Sequence, residues 1–483
     1  MGLLSLLPTS ALRGLRRLML RQGRRMGGAR MLGAAQARAM RIAMDAARHS
    51  PAYGTLLQEH GIDPQRIGPG IDWHSLPVLT KTNTFARFAL NQLSRPLPAS
   101  MLADVLTSSG RGGRSYGFRL TARAQHEEGW FPIDLGLQDM FGVDDKPTLL
   151  VNCLPMGVVF RSRAVAVANV SVREDMACSI LRDVGPSFAQ TLLCADPLFI
   201  RRLLDEGQRA GVDWPALRTS VIMGEEVLVE AQRDYIAARM GIDIDSDPER
   251  VVGSSFGVGE LGLNLLFETR ETIRMRRAMR RNAGLAQLLC GPGATGAIDA
   301  VPSVFCYNPL RSHLEVLNPD ASGFGELCVT MLDPHAVIPL PRYATGDLVR
   351  LVPEQDARQA AALLGMEPPW LPMVLVQGRI KDRATGMPSV ESIKELLYLD
   401  HAIADRLSGA FRIEKADSGL VRLRVQANTT EPDAQGLLEQ LRALSSQHGF
   451  PAIEIEVLGR DAFPWRPMLD FERKFDYVAA DHA

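Results

Sequence analysis

Thr148–Leu149–Leu150–Val151–Asn152–Cys153 is an apolar run of strand length that stops at a turn, Pro155–Gly157. Short apolar runs bounded by turn residues read as buried strands. The pattern recurs downstream. Ser187–Ala195 holds a second strand, closed by Asp196–Pro197 as a helix start, and Phe199–Ala210 is helical in pattern. Arg218–Gly224 reads as a strand, Val229–Met240 as a helix, and Arg250–Gly253 as another strand. Strands alternating with helices predict an α/β body with a mostly parallel sheet.

The texture changes on either side of this stretch. Pro51 to Pro98 reads as helices and loops. After Gly291, Gly, Pro and short β-rich runs continue through Val352, which predicts a β-subdomain. Glu354–Trp370 is a polar, Ala-rich and then Pro-rich insertion. Past Gly378 the chain reads as a small α+β unit, with helices over Val390–Leu399 and Gln435–Gln447 and strands over Leu420–Ala427 and Ile453–Leu458. Three parts are expected: an arm over 1–48, a core over 49–377 and a C-terminal domain over 378–483. At roughly 100–200 residues per domain, 483 residues accommodate them.

Composition excludes several classes. Hydrophobic residues are 46% and charged residues 23%, which is ordinary for a globular chain and excludes a disordered or fibrous one. No apolar run approaches the roughly 18 residues of a membrane span. Six cysteines without a Cys-x-x-Cys pair do not make a disulfide framework, so a reducing cytoplasm is the expected compartment. Net charge is −1, but residues 1–48 hold ten arginines and one acid, Asp45, a balance of +9. Leu12, Leu15, Met19 and Leu20 recur there at helical spacing among Arg13, Arg16, Arg17 and Arg21. Such a helix either meets an anionic membrane surface or an acidic partner, or packs on the body. It lacks the aromatic interleaving of a nucleic-acid site, and no nucleic-acid partner is expected. Only six lysines occur: Lys81, Lys146, Lys381, Lys394, Lys415 and Lys474.

Four motifs could carry chemistry. Thr107–Ser108–Ser109–Gly110–Arg111–Gly112–Gly113–Arg114–Ser115 combines hydroxyls, three glycines and two arginines. Backbone N–H groups of such a loop can cradle phosphate, and guanidinium groups add fixed charge. It is not a Walker A loop, and its plain alternative is an exposed turn. Ser254–Glu260 places an aromatic, two glycines and a carboxylate after a strand. That suits a flat ligand and a cation; the plain alternative is a strand-ending turn. In Arg342–Asp347, an Asp at a Gly turn can accept from a vicinal diol, or simply make an Asx turn. Gly378–Arg383 is a charged connector.

In order and spacing, this set resembles the adenylate-forming (acyl-AMP) superfamily, most closely its phenylacetate–CoA ligase-like branch. Ser108–Gly113 stands where that family has its phosphate loop. Phe256–Glu260 is similar to its Tyr-Gly-x-[Ser/Thr]-Glu motif, and Tyr343–Asp347 to Tyr-x-Thr-Gly-Asp. Gly378–Lys381 is similar to its Gly-Arg-x-Asp hinge. Leu76–Lys81 resembles the entry segment Leu-Pro-x-x-Thr-Lys, and Gly224–Glu225 a Gly-[Ala/Gly]-Glu motif. The resemblance spans roughly residues 50–480.

The resemblance implies a large adenylation domain and a small mobile α+β lid. It implies a carboxylic acid, aromatic or compact, activated by ATP with Mg²⁺ to an acyl-adenylate, with pyrophosphate released. The acyl group then passes to a thiol of CoA or of carrier-protein phosphopantetheine, which would make an acyl carrier protein a partner. An amine acceptor, or a non-catalytic module that binds nucleotide or a partner, are the alternatives. Ser108, Ser109, Gly110 and Gly113 would line the phosphates, with Arg111 compensating for lost threonines. Phe256 and Gly257 would meet adenine, and Glu260 Mg²⁺. Asp347 and Arg379 would hold the ribose. Gly224, Glu225 and Val158 would line the acid pocket, with Val159, Met223 and Leu261 adding apolar wall. Lys381 would mark the hinge, and Lys474 would be the catalytic lysine. The departures are Arg111 and Gly112 for two threonines, Ser115 for a proline, Gly259 for Ser/Thr, and Lys381 for the hinge acid.

Overall fold

The structure is a computed structural model that describes residues 3–108, 116–155, 157–292, 300–383, 387–415, 420–450, 453–463 and 476–478. Three sheets organise it. A hairpin pairs β1 (Leu102–Thr107) with β2 (Phe118–Ala122). The main sheet holds β3 (Thr148–Asn152), β4 (Ala166–Asn169), β5 (Gln190–Ala195), β6 (Thr219–Met223), β7 (Val252–Val258), β8 (Gly262–Phe267), β9 (Ser303–Tyr307), β10 (Ser312–Leu317), β11 (Gly325–Met331), β12 (Tyr343–Leu351) and β13 (Met373–Arg379). The third sheet joins β14 (Leu407–Lys415), β15 (Val421–Ala427) and β16 (Ile453–Leu458).

The main sheet has 11 strands in the order β10-β11-β12-β13-β9-β8-β7-β6-β5-β3-β4. One half, β4 to β7, is parallel, as the strand–helix alternation predicts. The β-rich stretch after Gly291 does not form a sheet of its own. It continues the main sheet in antiparallel pairing from β7 through β8, β9 and β13 to β10. β7 serves both halves: Val252–Ser254 pair in parallel with β6, and Ser255–Val258 pair antiparallel with β8. Glu354–Leu363 in the expected insertion is a helix.

The arm is two helices, Thr9–Met26 and Gly28–His49, laid on the body. Leu12 packs with Trp130 and Phe131. Arg16 is buried, its Nε 3.0 Å from Asp144 Oδ2 and its Nη1 3.7 Å from Asp134 Oδ2. Arg17 pairs with Asp145, and Arg24 with Asp139 at 2.7 Å. Part of the arm's charge therefore meets acids of the chain itself. Trp370, from the Pro-rich end of the insertion, packs on Gly23 and donates to Asp139 Oδ2 at 3.2 Å.

The C-terminal unit shares a core with the parallel half. Ile393, Leu397, Tyr398, Ile403, Leu407 and Phe411 join one apolar cluster with Val151, Leu193, Phe199, Leu203 and Ile236. Polar contacts reinforce the junction. The buried Arg201 guanidinium donates to the carbonyls of Ala404, Leu407 (2.8 Å) and Asp405 (2.5 Å). Lys394, also buried, lies 2.8 Å from Glu226 Oε2, which accepts a 2.5 Å bond from the Tyr477 hydroxyl. Ile413 N donates to Tyr477 O at 2.8 Å, so residues 476–478 run beside β14. Asp196 lies in this junction. Burial first, and then the Glu226 carboxylate, push its carboxyl up to about 7, although Lys394 and the amides of Leu198 and Phe199 oppose the shift.

Two measurements test this packing. Arg16→Ala strands two buried carboxylates and is expected to cost about 3–5 kcal/mol in urea unfolding. Arg17→Ala breaks an exposed pair and should cost under about 1 kcal/mol; equal losses would mean the arm is not held by the buried pair. Asp196 keeps its proton to higher pH folded than unfolded. Its contribution to stability is therefore full below about pH 4 and fades as pH rises toward 7. Thermal unfolding from pH 5 to 8 should show this decline, and Asp196→Asn should flatten it.

Candidate active site

A cleft of about 470 Å³ opens where β7 changes from parallel to antiparallel pairing. Strand connections diverge where a sheet changes its pairing, and side chains from distant segments can converge there. The lining includes Lys81, Ser108, Val158, Gly224, Glu225, Gly257, Glu260, Asp347, Arg379 and Lys381.

Lys81 anchors one end. Its Nζ lies 2.8 Å from Ser108 Oγ and 2.9 Å from Glu260 Oε1. Ser108 Oγ also accepts from Gly117 N at 2.9 Å. Burial, and the neighbouring Glu260 carboxylate that accepts its hydrogen bond, push the Tyr343 hydroxyl up. The β1–β2 hairpin approaches this carboxylate so closely that side chains are excluded. A Cβ on Gly117 would stand 2.2 Å from Glu260 Cγ, and one on Gly259 would stand 3.0 Å from Ser108 Cα. Gly259, a departure from the family pattern, is what lets Ser108 sit against this strand end.

The position of Lys81 depends on a segment far along the chain. Leu79 N donates to Arg342 O, and Ala344 N to Leu79 O, each at 2.8 Å, which lays the Leu76–Lys81 segment along the start of β12. Arg342 is buried, and its φ of 50° is left-handed. Its guanidinium donates to the carbonyls of His74 (2.9 Å) and Leu76 (2.5 Å) and pairs with Glu315 at 3.2 Å. A non-glycine residue in that conformation persists where its surroundings over-determine it.

At the other end, Asp347 on β12 pairs in register with Arg379 on β13, and Arg379 Nε lies 3.6 Å from Asp347 Oδ1. Gly346 N donates to Glu326 Oε1 at 3.1 Å. A buried carboxylate beside a half-buried guanidinium offers both acceptor and donor to a polar ligand.

The third wall is apolar. Leu154, Val158, Phe160 and Leu263 form it. The buried Asn152 shapes it, with Nδ2 donating to Val158 O at 2.7 Å and Oδ1 accepting from Leu154 N at 3.1 Å. The expected wall is corrected here. Met223 ends β6 facing the helix-covered core, Leu261 is buried beneath the site, and Val159 is exposed.

Ser108, Gly224, Glu225, Gly257, Glu260, Asp347, Arg379, Lys381 and Val158 line one cleft. Phe256 lines a smaller adjoining cavity with Asp347, Arg379 and Tyr477. Ser109, Gly110, Arg111, Gly113 and Lys474 lie outside the described residues. Glu225, at a left-handed φ of 70°, faces the cleft, whereas Glu226 turns to Lys394 in the junction. Lys81 is the site residue that motif reading passed over. The signal was there, since it is one of six lysines and ends a matched segment. Among the described residues no three His, Cys, Asp or Glu side chains converge on a metal position. All six cysteines are buried and unpaired, and no described helix is long and apolar enough to cross a membrane.

No family model matches the chain, and no curated protein matches it. Solved structures do. A 2-hydroxyisobutyryl-CoA ligase in the postadenylation state, in complex with 2-HIB-AMP, superposes with a TM-score of 0.66 at 16% identity, over 95% of this chain and 91% of that one. Its open conformation, with 2-HIB-AMP and CoA, gives 0.53 at 15% identity over 94% and 92%. Its thioesterification state gives 0.52 at 16% identity over 94% and 90%. The chain has the fold of the adenylate-forming ligases, with a large mixed α/β body and a small α+β C-terminal unit.

Proposed function

We propose that the cleft activates a carboxylic acid with ATP and then passes the acyl group to a thiol, of CoA or of a carrier protein. The observation that supports this best is the arrangement of three ends on one cleft: Lys81 with Ser108 and Glu260, Asp347 with Arg379, and an apolar wall. A carboxylate oxygen attacks the α-phosphorus, and the bond to pyrophosphate breaks with its electrons leaving on pyrophosphate. The thiolate then attacks the acyl carbon, and the carbon–oxygen bond to AMP breaks. The first step gathers negative oxygens, which need donors and cations fixed in advance.

In this reading the Lys81 ammonium and the Ser108 hydroxyl face the phosphates, with the rest of the loop through Gly113. Asp347 accepts from the ribose hydroxyls, and Arg379 steadies the same end. Phe256 and Gly257 border the base. The acid lies against Val158, Gly224 and Glu225. Glu260 is the carboxylate suited to Mg²⁺, provided Lys81 yields one of its oxygens, and the ion would neutralise phosphate charge. Lys474 stands three residues before Tyr477, whose ring lines the cavity next to the cleft, and is assigned the transition-state charge. Residues 49–377 then form the adenylation domain. Residues 378–483 form the lid, turning at Lys381, which lines the cleft.

Acid-dependent exchange of labelled pyrophosphate into ATP, screened over aromatic and small aliphatic acids, tests this. Exchange above the no-acid control is expected, and Asp347→Ala should abolish it. Lys81→Ala should cost about 10²-fold or more in kcat/KM for ATP. A folded protein that binds no ATP would end the reading.

A further inference from the structure

We propose that Asn264 selects the acid, and that the substrate is a compact carboxylic acid bearing a hydroxyl or similar hydrogen-bonding group. This rests on the adenylation reading above. Asn264 lies on β8, half-buried, and lines the cleft beside Leu263, which belongs to the apolar wall. Among the described residues its side-chain amide makes no hydrogen bond. An amide offers two donors and an acceptor, and a ligand that strips water from it without replacing those hydrogen bonds incurs a desolvation cost. Asn152, in the same wall, shows the contrast, because both ends of its amide are used by the fold.

The backbone holds this amide in place. Asn264 has a φ of 56°. A Cβ on Gly257, across the hairpin, would stand 3.0 Å from Leu263 Cα and 3.3 Å from Asn264 N. The two strands are therefore in close contact, which fixes the backbone from which the Asn264 side chain starts. The space is also narrow, because a Cβ on Gly224 would stand 3.1 Å from Leu154 Cδ2. A purely hydrocarbon acid filling this space would satisfy the walls and strip water from the amide without replacing its hydrogen bonds. An acid of the same size with a hydroxyl would satisfy both. Sites built to bond a substrate hydroxyl discriminate strongly against analogues that lack it.

Asn and Gly tolerate the left-handed conformation best, so Asn264→Gly removes the amide and leaves the backbone unstrained. The test is pyrophosphate exchange with acids matched in size, methyl against hydroxyl: 2,2-dimethylpropanoate with 2-hydroxy-2-methylpropanoate, 3-methylbutanoate with 3-hydroxybutanoate, and 2-methylbenzoate with 2-hydroxybenzoate. In the parent protein at least one hydroxy acid should exceed its methyl partner by about tenfold or more in kcat/KM. In Asn264→Gly that ratio should fall to about one. Equal use of the partners, preference for the methyl acids, or a ratio that survives Asn264→Gly would each overturn the assignment. Absence of exchange with every acid tried, in a protein that binds ATP, would instead overturn the adenylation reading beneath it. The parent ratio needs no variant, so misfolding of Asn264→Gly would not shield the proposal.

Discussion

The double duty of β7 is the constraint on which the rest of the structure depends. Its first three residues bond a parallel neighbour and its last four an antiparallel one. The helix-covered half and the β-rich half are thus one sheet rather than two packed bodies. The strand then runs out at Val258, and Glu260 emerges two residues later between both halves. The β1–β2 hairpin, the start of β12 and the turn after β13 all approach this point. A site at the change of pairing can draw on side chains that a uniform sheet would keep apart.

Local order in the body was readable in the sequence wherever burial imposes a period. The helix over Phe199–Ala210 and the strand over Ile453–Leu458 have the boundaries that their patterns predict. Motif residues outside the undescribed loop line one cleft, and each motif is short enough to be seen in the sequence on its own. What the sequence hid is pairing between distant segments. Lys81 reaches Glu260 only because Leu79 bridges to the residues flanking Tyr343. The buried Arg342 that clamps this bridge opens one of the four motifs, yet nothing in the one-dimensional pattern marks it as buried. Met223 and Leu261 were assigned to the wrong wall for a related reason. Both are apolar and close to motif residues, but strand alternation and the turn direct them into separate cores.

Charge follows the same logic. The arm stands out in composition as a block of arginines, which invites an external anionic partner. In the fold, Arg16 is spent on Asp134 and Asp144, and two neighbours on Asp145 and Asp139. A buried pair of this kind contributes little over an apolar substitute, yet loss of one member is severe. The arm is therefore better described as a strap whose register is set by charge than as a free basic tail.

The shared core at the C-terminal junction has a consequence for synthesis. Leu149 and Val151 on β3 belong to the same apolar cluster as Leu423, Leu441, Ile455 and Tyr477. These partners leave the ribosome some 270 residues or more after β3. Until then the outer face over Phe199 and Tyr235 has no cover, and a nascent chain of about 400 residues exposes a surface that chaperones recognise. The cleft, bordered by Tyr477 through its adjoining cavity, is completed only once Tyr477 has been made.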